Sequence, residues 1–138
     1  MTEDDDLAAL CAGAGRALAE AEGPVLAEHG LSMWQYAVLA TLAHGSASSQ
    51  LALAQQIHYD KTRLIALLDG LVAVDLVTRE PDPADRRARI VRLTPSGIQR
   101  HAAVRDAIRV VEERKLAGLS VEERRVLRSA LAHLAQSD

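Results

Sequence analysis

The chain has 138 residues, of which 49% are hydrophobic, but it holds one Trp, two Tyr and no Phe, and its net charge is −3. That length suits one domain with a modest core built from Leu, Val, Ile and Ala, a composition that favours helices. A single cysteine excludes a disulfide framework and any multi-cysteine zinc site. No apolar run is long enough for a membrane span, and the acidic start MTEDDD is unlike a secretory signal, so a cytoplasmic protein is expected.

Residues 7–29 read as a long Ala-rich helix, with Leu7, Leu10, Ala14, Ala17, Leu18 and Ala21 near one face. A kink or break is expected at Gly23-Pro24. Cys11 lies in this helix and reads as a small buried thiol, with only Arg16 near enough in sequence to activate it. Ser32-Met33-Trp34-Gln35 is a capping-box pattern that opens a second helix ending near His44-Gly45. Val38, Leu39 and Leu42 form its apolar face. Trp34 and Tyr36 suit core or dimer packing, or else, with Arg16, a pocket for an aromatic ligand. After a polar loop over 45–49, residues 50–57 form a third helix with Leu53, Ala54 and Ile57 inward. His58 and Tyr59 make a turn, and Asp60 can cap the next helix.

Leu64, Leu67, Leu68 and Leu71 recur at three- and four-residue intervals, which predicts an amphipathic helix over 61–74. Two short helices joined by such a turn form a helix-turn-helix pattern. The second exposes Lys61, Thr62 and Arg63 in its first turn. β-Prone runs at 76–80 and 89–93 flank PDPADRRA, whose prolines and aspartates favour a turn. The result is a basic hairpin with Arg86 and Arg87 at its tip and Arg89 beside them. A helix followed by a basic hairpin suits a protein that lays the helix in the DNA major groove and the tip in the minor groove. Arg can fork onto guanine, Thr can touch a thymine methyl or a phosphate, and Lys can neutralise a phosphate. Gln50, at the start of the third helix, completes the candidate DNA-contacting set. Lys and Arg oppose the helix dipole at an N-terminus, a local cost that a phosphate opposite would offset. Asp85 is expected to brace an arginine through a charge-assisted hydrogen bond and so fix the hairpin.

Thr94-Pro95 supplies a cap and first-turn proline for a helix over 95–117. Ser120-Val121-Glu122-Glu123 opens a final helix through Leu127, Leu131 and Leu134. The terminal helices carry more apolar surface than the middle of the chain can cover, which points to pairing with a second copy. Charge follows the same division. Residues 1–59 carry one Arg against seven acids, residues 60–105 nine Lys or Arg against six acids, and residues 106–138 six of each. Local field rather than total charge steers a polyanion, so the acidic total is no objection to DNA.

The run DPADRRARIVRLTPSG, residues 82–97, resembles the wing and following helix of the MarR family of bacterial transcriptional regulators. LALAQQIHYDKTRLIALLDGLVAVDLVTRE, just upstream, fits that family's two-helix reader, and the match extends over almost the whole chain. The resemblance implies a mainly α, winged helix-turn-helix fold with a small β-hairpin wing and about six helices. It divides one continuous domain into an N-terminal dimerisation helix (1–30), a DNA-binding region (31–94) and C-terminal dimerisation helices (95–138). It further implies a homodimer on a pseudo-palindromic operator, usually repressing, and often released by a small phenolic molecule. By position, Asp85 and Arg87 match the family's wing Asp-x-Arg, and Lys61 to Arg63 its reading turn. Ala66 and Gly70 stand where many members carry arginine, and Asp75 replaces a common glycine.

A ligand-responsive repressor is therefore the leading function. The alternatives are an oxidant sensor using Cys11 and a winged-helix interaction module that no longer binds DNA. No cofactor is expected. His29, His44, His58, His101 and His133 are scattered, with no His-x-x-x-His or Cys-x-x-Cys spacing for a metal. An enzyme is not indicated, since Gly-rich phosphate loops, Gly-x-Ser-x-Gly elbows and His-Glu-x-x-His helices are missing.

Overall fold

A computed structural model describes residues 5–45 and 48–136. Helix α1 (Leu7–Glu28) runs unbroken through Pro24, so the expected break at Gly23-Pro24 does not occur. Proline removes one main-chain donor, and the remaining bonds of this long helix carry it past that point. Helix α2 (Met33–His44) opens with the expected capping box: Ser32 Oγ accepts the Gln35 N–H (3.1 Å) and Gln35 Oε1 accepts the Ser32 N–H (3.0 Å). Of the loop expected over 45–49, residues 46–47 lie outside the described residues, and Ser48–Ser49 form a short strand, β1. Helices α3 (Gln50–Gln56) and α4 (Lys61–Ala73) follow, then strands β2 (Val77–Asp82) and β3 (Asp85–Leu93), and helices α5 (Pro95–Lys115) and α6 (Val121–Gln136). The result is a winged helix-turn-helix: six helices with an antiparallel β2–β3 hairpin, β1 pairing on the far edge of β3.

Three of these helices stop in the same way. The second residue past each cap returns its N–H to the last turn: Leu31 to the Leu26 carbonyl (3.0 Å), Tyr59 to Ala54 (2.9 Å) and Leu76 to Leu71 (3.0 Å). That closure needs a left-handed residue between, which is Gly30 at φ 71°, His58 at 53° and Asp75 at 59°. Asp75 thus occupies a glycine's conformation without being glycine, and Asp and His are among the side chains that tolerate it best.

The core is aliphatic, as the composition requires. Val38, Leu39 and Leu42 of α2 meet Leu53 of α3, Leu64, Leu68 and Leu71 of α4, and Val104 and Ile108 of α5, with Leu76, Val77 and Val91 beneath. The wing strands extend further than their β-prone runs. Pairing continues to Asp82 opposite Asp85, with one irregularity at Pro81/Asp82, so the tip is Pro83-Ala84 alone. Arg86 and Arg87 therefore sit on β3 just past the tip rather than on it, because cross-strand pairing overrides turn-prone composition.

A four-residue junction locks the wing to the helices on either side. Thr94 Oγ1 donates to the Asp75 carbonyl (2.6 Å) and accepts the Gly97 N–H (2.9 Å), while the Thr94 N–H donates to the Leu76 carbonyl (3.1 Å). Gly97 lies so close that a Cβ there would stand 2.0 Å from the Leu76 carbonyl oxygen.

The first and last helices are largely bare. Helix α6 has no buried residue; Val126, Leu127, Leu131 and Leu134 are exposed, and Arg124–Glu113 and Arg128–Glu112 (2.7 Å) tether it to α5. Leu7 is 69% exposed, and Leu26 is the one buried residue of α1. Cys11 is exposed rather than a buried thiol, because none of the described residues covers this end of α1.

The junction makes two substitutions unequal. Gly97→Ala is expected to cost about 3 kcal/mol through overpacking against main chain. At position 75, Asp75→Gly should be neutral or stabilising, whereas Asp75→Val should lose about 1–2 kcal/mol in the left-handed region. Urea-unfolding midpoints of the three variants check both expectations.

Candidate nucleic-acid interface

Two side-chain caps set up the reader. Ser49 Oγ accepts the Ala52 N–H (3.0 Å) at the start of α3, and Asp60 Oδ2 accepts the Arg63 N–H (2.8 Å) at the start of α4. Because Ser49 also pairs with Ile90 on β3, the first turn of α3 is held against the base of the wing. Between the starts of α3 and α4 and one face of β3 lies a cleft of about 490 Å³. Gln50, Lys61, Thr62, Arg87 and Arg89 line it, as do Asp85 and Ile65. Arg87 and Arg89 line it together with Ala88 between them, in the part of β3 where the register shifts opposite Pro81/Asp82. Arg86 is exposed but does not line the cleft, so the expected pair of tip arginines is split. Arg63 lies outside it too, with its guanidinium carbon 5.4 Å from the centre of the Tyr59 ring.

Among the described residues, Lys61, Arg86, Arg87 and Arg89 form no ion pair. Other cations of the wing are committed: Arg79 pairs with Asp69 of α4, and Arg92 with Glu80 across the hairpin (3.7 Å). Asp85 does brace the wing, but through the main-chain N–H of Arg87 (3.0 Å) and not a guanidinium. A carboxylate two residues before an amide in a tight turn reaches that amide first. The Arg87 guanidinium is left free to face the cleft.

The three residues expected to line a ligand pocket are not brought together. Trp34 packs on Tyr59, with ring centres 4.7 Å apart, whereas Tyr36 stacks on His101 of α5 at 5.8 Å. Arg16 is exposed on α1. Tyr36 instead belongs to a second polar cluster built from α1, α2 and α5. Burial, with the Glu112 carboxylate adding, raises the Glu22 acid; burial and then Glu112 also raise the Tyr36 phenol, against Arg109. His101 is 8% exposed, its Nε2 has no hydrogen-bond partner, and burial, with Arg105 and His44 adding, lowers its pKa. The spacing of Gly97, His101, Val104 and Ile108 marks this histidine as part of α5's inward stripe. Tyr59 leaves no comparable trace in the sequence, since both its ring partners come from other elements.

A reading helix capped at its exposed start, a hairpin beside it and free cations converging between them define a winged helix-turn-helix domain of the nucleic-acid-binding class. The chain belongs to the MarR family of transcriptional regulators, whose family model matches residues 29–88. It is 32% identical over 108 residues to the HTH-type transcriptional repressor NicR of Pseudomonas putida, covering 78% of this chain and 68% of NicR. More generally, the matched region spans 64–68% of the length of the curated relatives. Among solved structures, it is similar to the transcriptional repressor CouR bound to a 23-mer DNA duplex (26% identity, TM-score 0.85, 95% of this chain and 93% of that one). It also shares the fold of NadR in complex with 4-hydroxyphenylacetate (21% identity, TM-score 0.84, 100% and 98%).

The buried histidine has a consequence for stability. The unfolded chain takes up the His101 proton near the ordinary value of 6.5, before the folded chain does. Stability should therefore fall as pH drops below that value, and His101→Leu should lose this part of the dependence. Urea midpoints of both proteins across mildly acidic pH provide the check.

Proposed function

We propose that this regulator binds double-stranded DNA as a homodimer and represses transcription, with α4 in the major groove and the wing along the flanking minor groove. The convergence of Gln50, Lys61, Thr62, Arg87 and Arg89 on one cleft carries this reading. Those residues come from three separate elements, and no core requirement explains why their exposed cations should meet. A duplex offers what the cleft lacks: phosphates for Lys61 and Arg89, and a base edge for Thr62. Arg63, outside the cleft on the same helix start, is placed to meet a further base edge. The names of NicR, a repressor, and CouR, a repressor bound to DNA, support the same reading. The uncovered apolar faces of α1 and α6 supply the contact surface for a second copy.

An aromatic effector is the second component of the proposal. The Tyr36–His101 stack supports it, because a buried imidazole nitrogen without a partner can hydrogen-bond a phenol or carboxylate entering beside it. NadR, with its 4-hydroxyphenylacetate, shows such a molecule held by this fold.

Arg63→Ala and Arg87→Ala should each weaken binding to upstream DNA roughly tenfold or more while leaving the dimer intact. Lys61→Ala should lower the salt slope by about one without changing sequence preference. Anisotropy titrations at several salt concentrations, with sizing chromatography alongside, test these expectations; unchanged affinity in both arginine variants would count against the assignment. Repeating the wild-type titration with 4-hydroxyphenylacetate should weaken binding, and no response there removes that molecule as effector.

A further inference from the structure

We propose that Tyr59 and Trp34 hold Arg63 in its reading pose, so that two rings outside the cleft set the reader's base preference. This rests on the duplex-binding reading above. The main chain builds the arrangement. His58, at φ 53°, reverses the chain after α3, and the Tyr59 N–H returns to the Ala54 carbonyl (2.9 Å). Asp60 then starts α4 by accepting the Arg63 N–H (2.8 Å). Tyr59 and Arg63 therefore lie on either side of one cap and face each other, the guanidinium carbon 5.4 Å from the ring centre. The Tyr59 ring also meets Trp34, ring centres 4.7 Å apart and tilted by 41°, from the first turn of α2.

The geometry matters because an arginine uses two different surfaces. Its π face rests on an aromatic ring, while its N–H donors lie in the guanidinium plane and stay available for guanine O6 and N7. A free arginine must give up rotamer freedom on binding; one already laid on Tyr59 has lost part of it beforehand. Trp34 is 43% exposed, more than the core requires of the chain's single tryptophan. Its packing against Tyr59 gives that exposure a purpose, since it keeps the ring from turning away from Arg63. Tyr59 and Trp34 are positioning residues on this proposal, and neither touches the duplex.

The test is a double-variant cycle with a readout that simple destabilisation would not move. Wild-type protein first enriches duplexes from a randomised pool, and anisotropy then gives the affinity of each variant for the enriched duplex. Tyr59→Leu should bind roughly three- to tenfold more weakly. Tyr59→Phe, which keeps the ring face, should match wild type. The Tyr59→Leu, Arg63→Ala double variant should bind no worse than Arg63→Ala alone. A second enrichment with Tyr59→Leu should relax preference at one base step per half-site and keep it elsewhere. If Tyr59→Leu folds poorly, Trp34→Leu carries the same cycle, because it loosens the ring from outside. Losses that multiply in the double variant, or a uniform weakening with unaltered base preference, would overturn the stack's role while leaving duplex binding in place. Failure of the wild type to enrich any duplex or bind in a salt-dependent way would overturn both, so the wild-type arm tells the two failures apart.

Discussion

The placement of the wing beside the reading helix depends on a short run of contacts around Thr94. Its hydroxyl bridges the carbonyl of Asp75, just past the reader, and the N–H of Gly97, in the first turn of α5. Its own N–H closes onto Leu76. One side chain thereby joins the end of α4, the start of β2, the end of β3 and the start of α5. Gly97 is part of the same constraint, since the carbonyl it rests on leaves no space for a methyl group. That joint ties the end of the reader to the base of the wing, so the two elements that border the cleft share one set of contacts. A preformed cleft loses little conformational freedom when a rigid duplex enters it.

Electrostatics then decides what such a cleft can hold. The chain is acidic in total, yet residues 60–105 carry an excess of Lys and Arg. Several of those cations serve the fold: Arg79 and Arg92 are matched to Asp69 and Glu80. Among the described residues Lys61, Arg87 and Arg89 have no such match, and all three line the cleft. Concentrating like charges costs stability unless an anion relieves it, and the counter-ions they collect are released when phosphates replace them. Asp85, a carboxylate that lines the same cleft, accepts the Arg87 main-chain N–H and fixes the turn from which that arginine projects.

Features governed by local chemistry were legible in the sequence. The Leu64, Leu68 and Leu71 stripe, the boxes at Ser32/Gln35 and Ser120/Glu123, and the Thr94-Pro95 start all depend on neighbours within four residues. Features decided by distant partners were not. Ser48 and Ser49 look like loop and become a strand because β3 offers an edge. Arg86 and Arg87 look like a tip pair, but β3 already begins at Asp85, and of the two only Arg87 lines the cleft. Trp34 and Tyr36 are two residues apart and suggest one pocket, but on a helix that spacing sends them to different neighbours, Tyr59 and His101. Asp75 stands out as a departure from the family's glycine, and its φ of 59° shows that the glycine's conformation persists without the glycine.

The proposed mode of action requires two copies, joined through α1 and α6, to set two clefts on one face of a duplex. Hydroxyl-radical footprinting of the purified protein on its enriched duplex tests that most directly. Two protected patches related by a two-fold axis, with centres about one helical turn apart and flanking minor-groove protection from the wings, are predicted. A footprint confined to a single half-site, or protection that ignores the minor groove beside it, would contradict it.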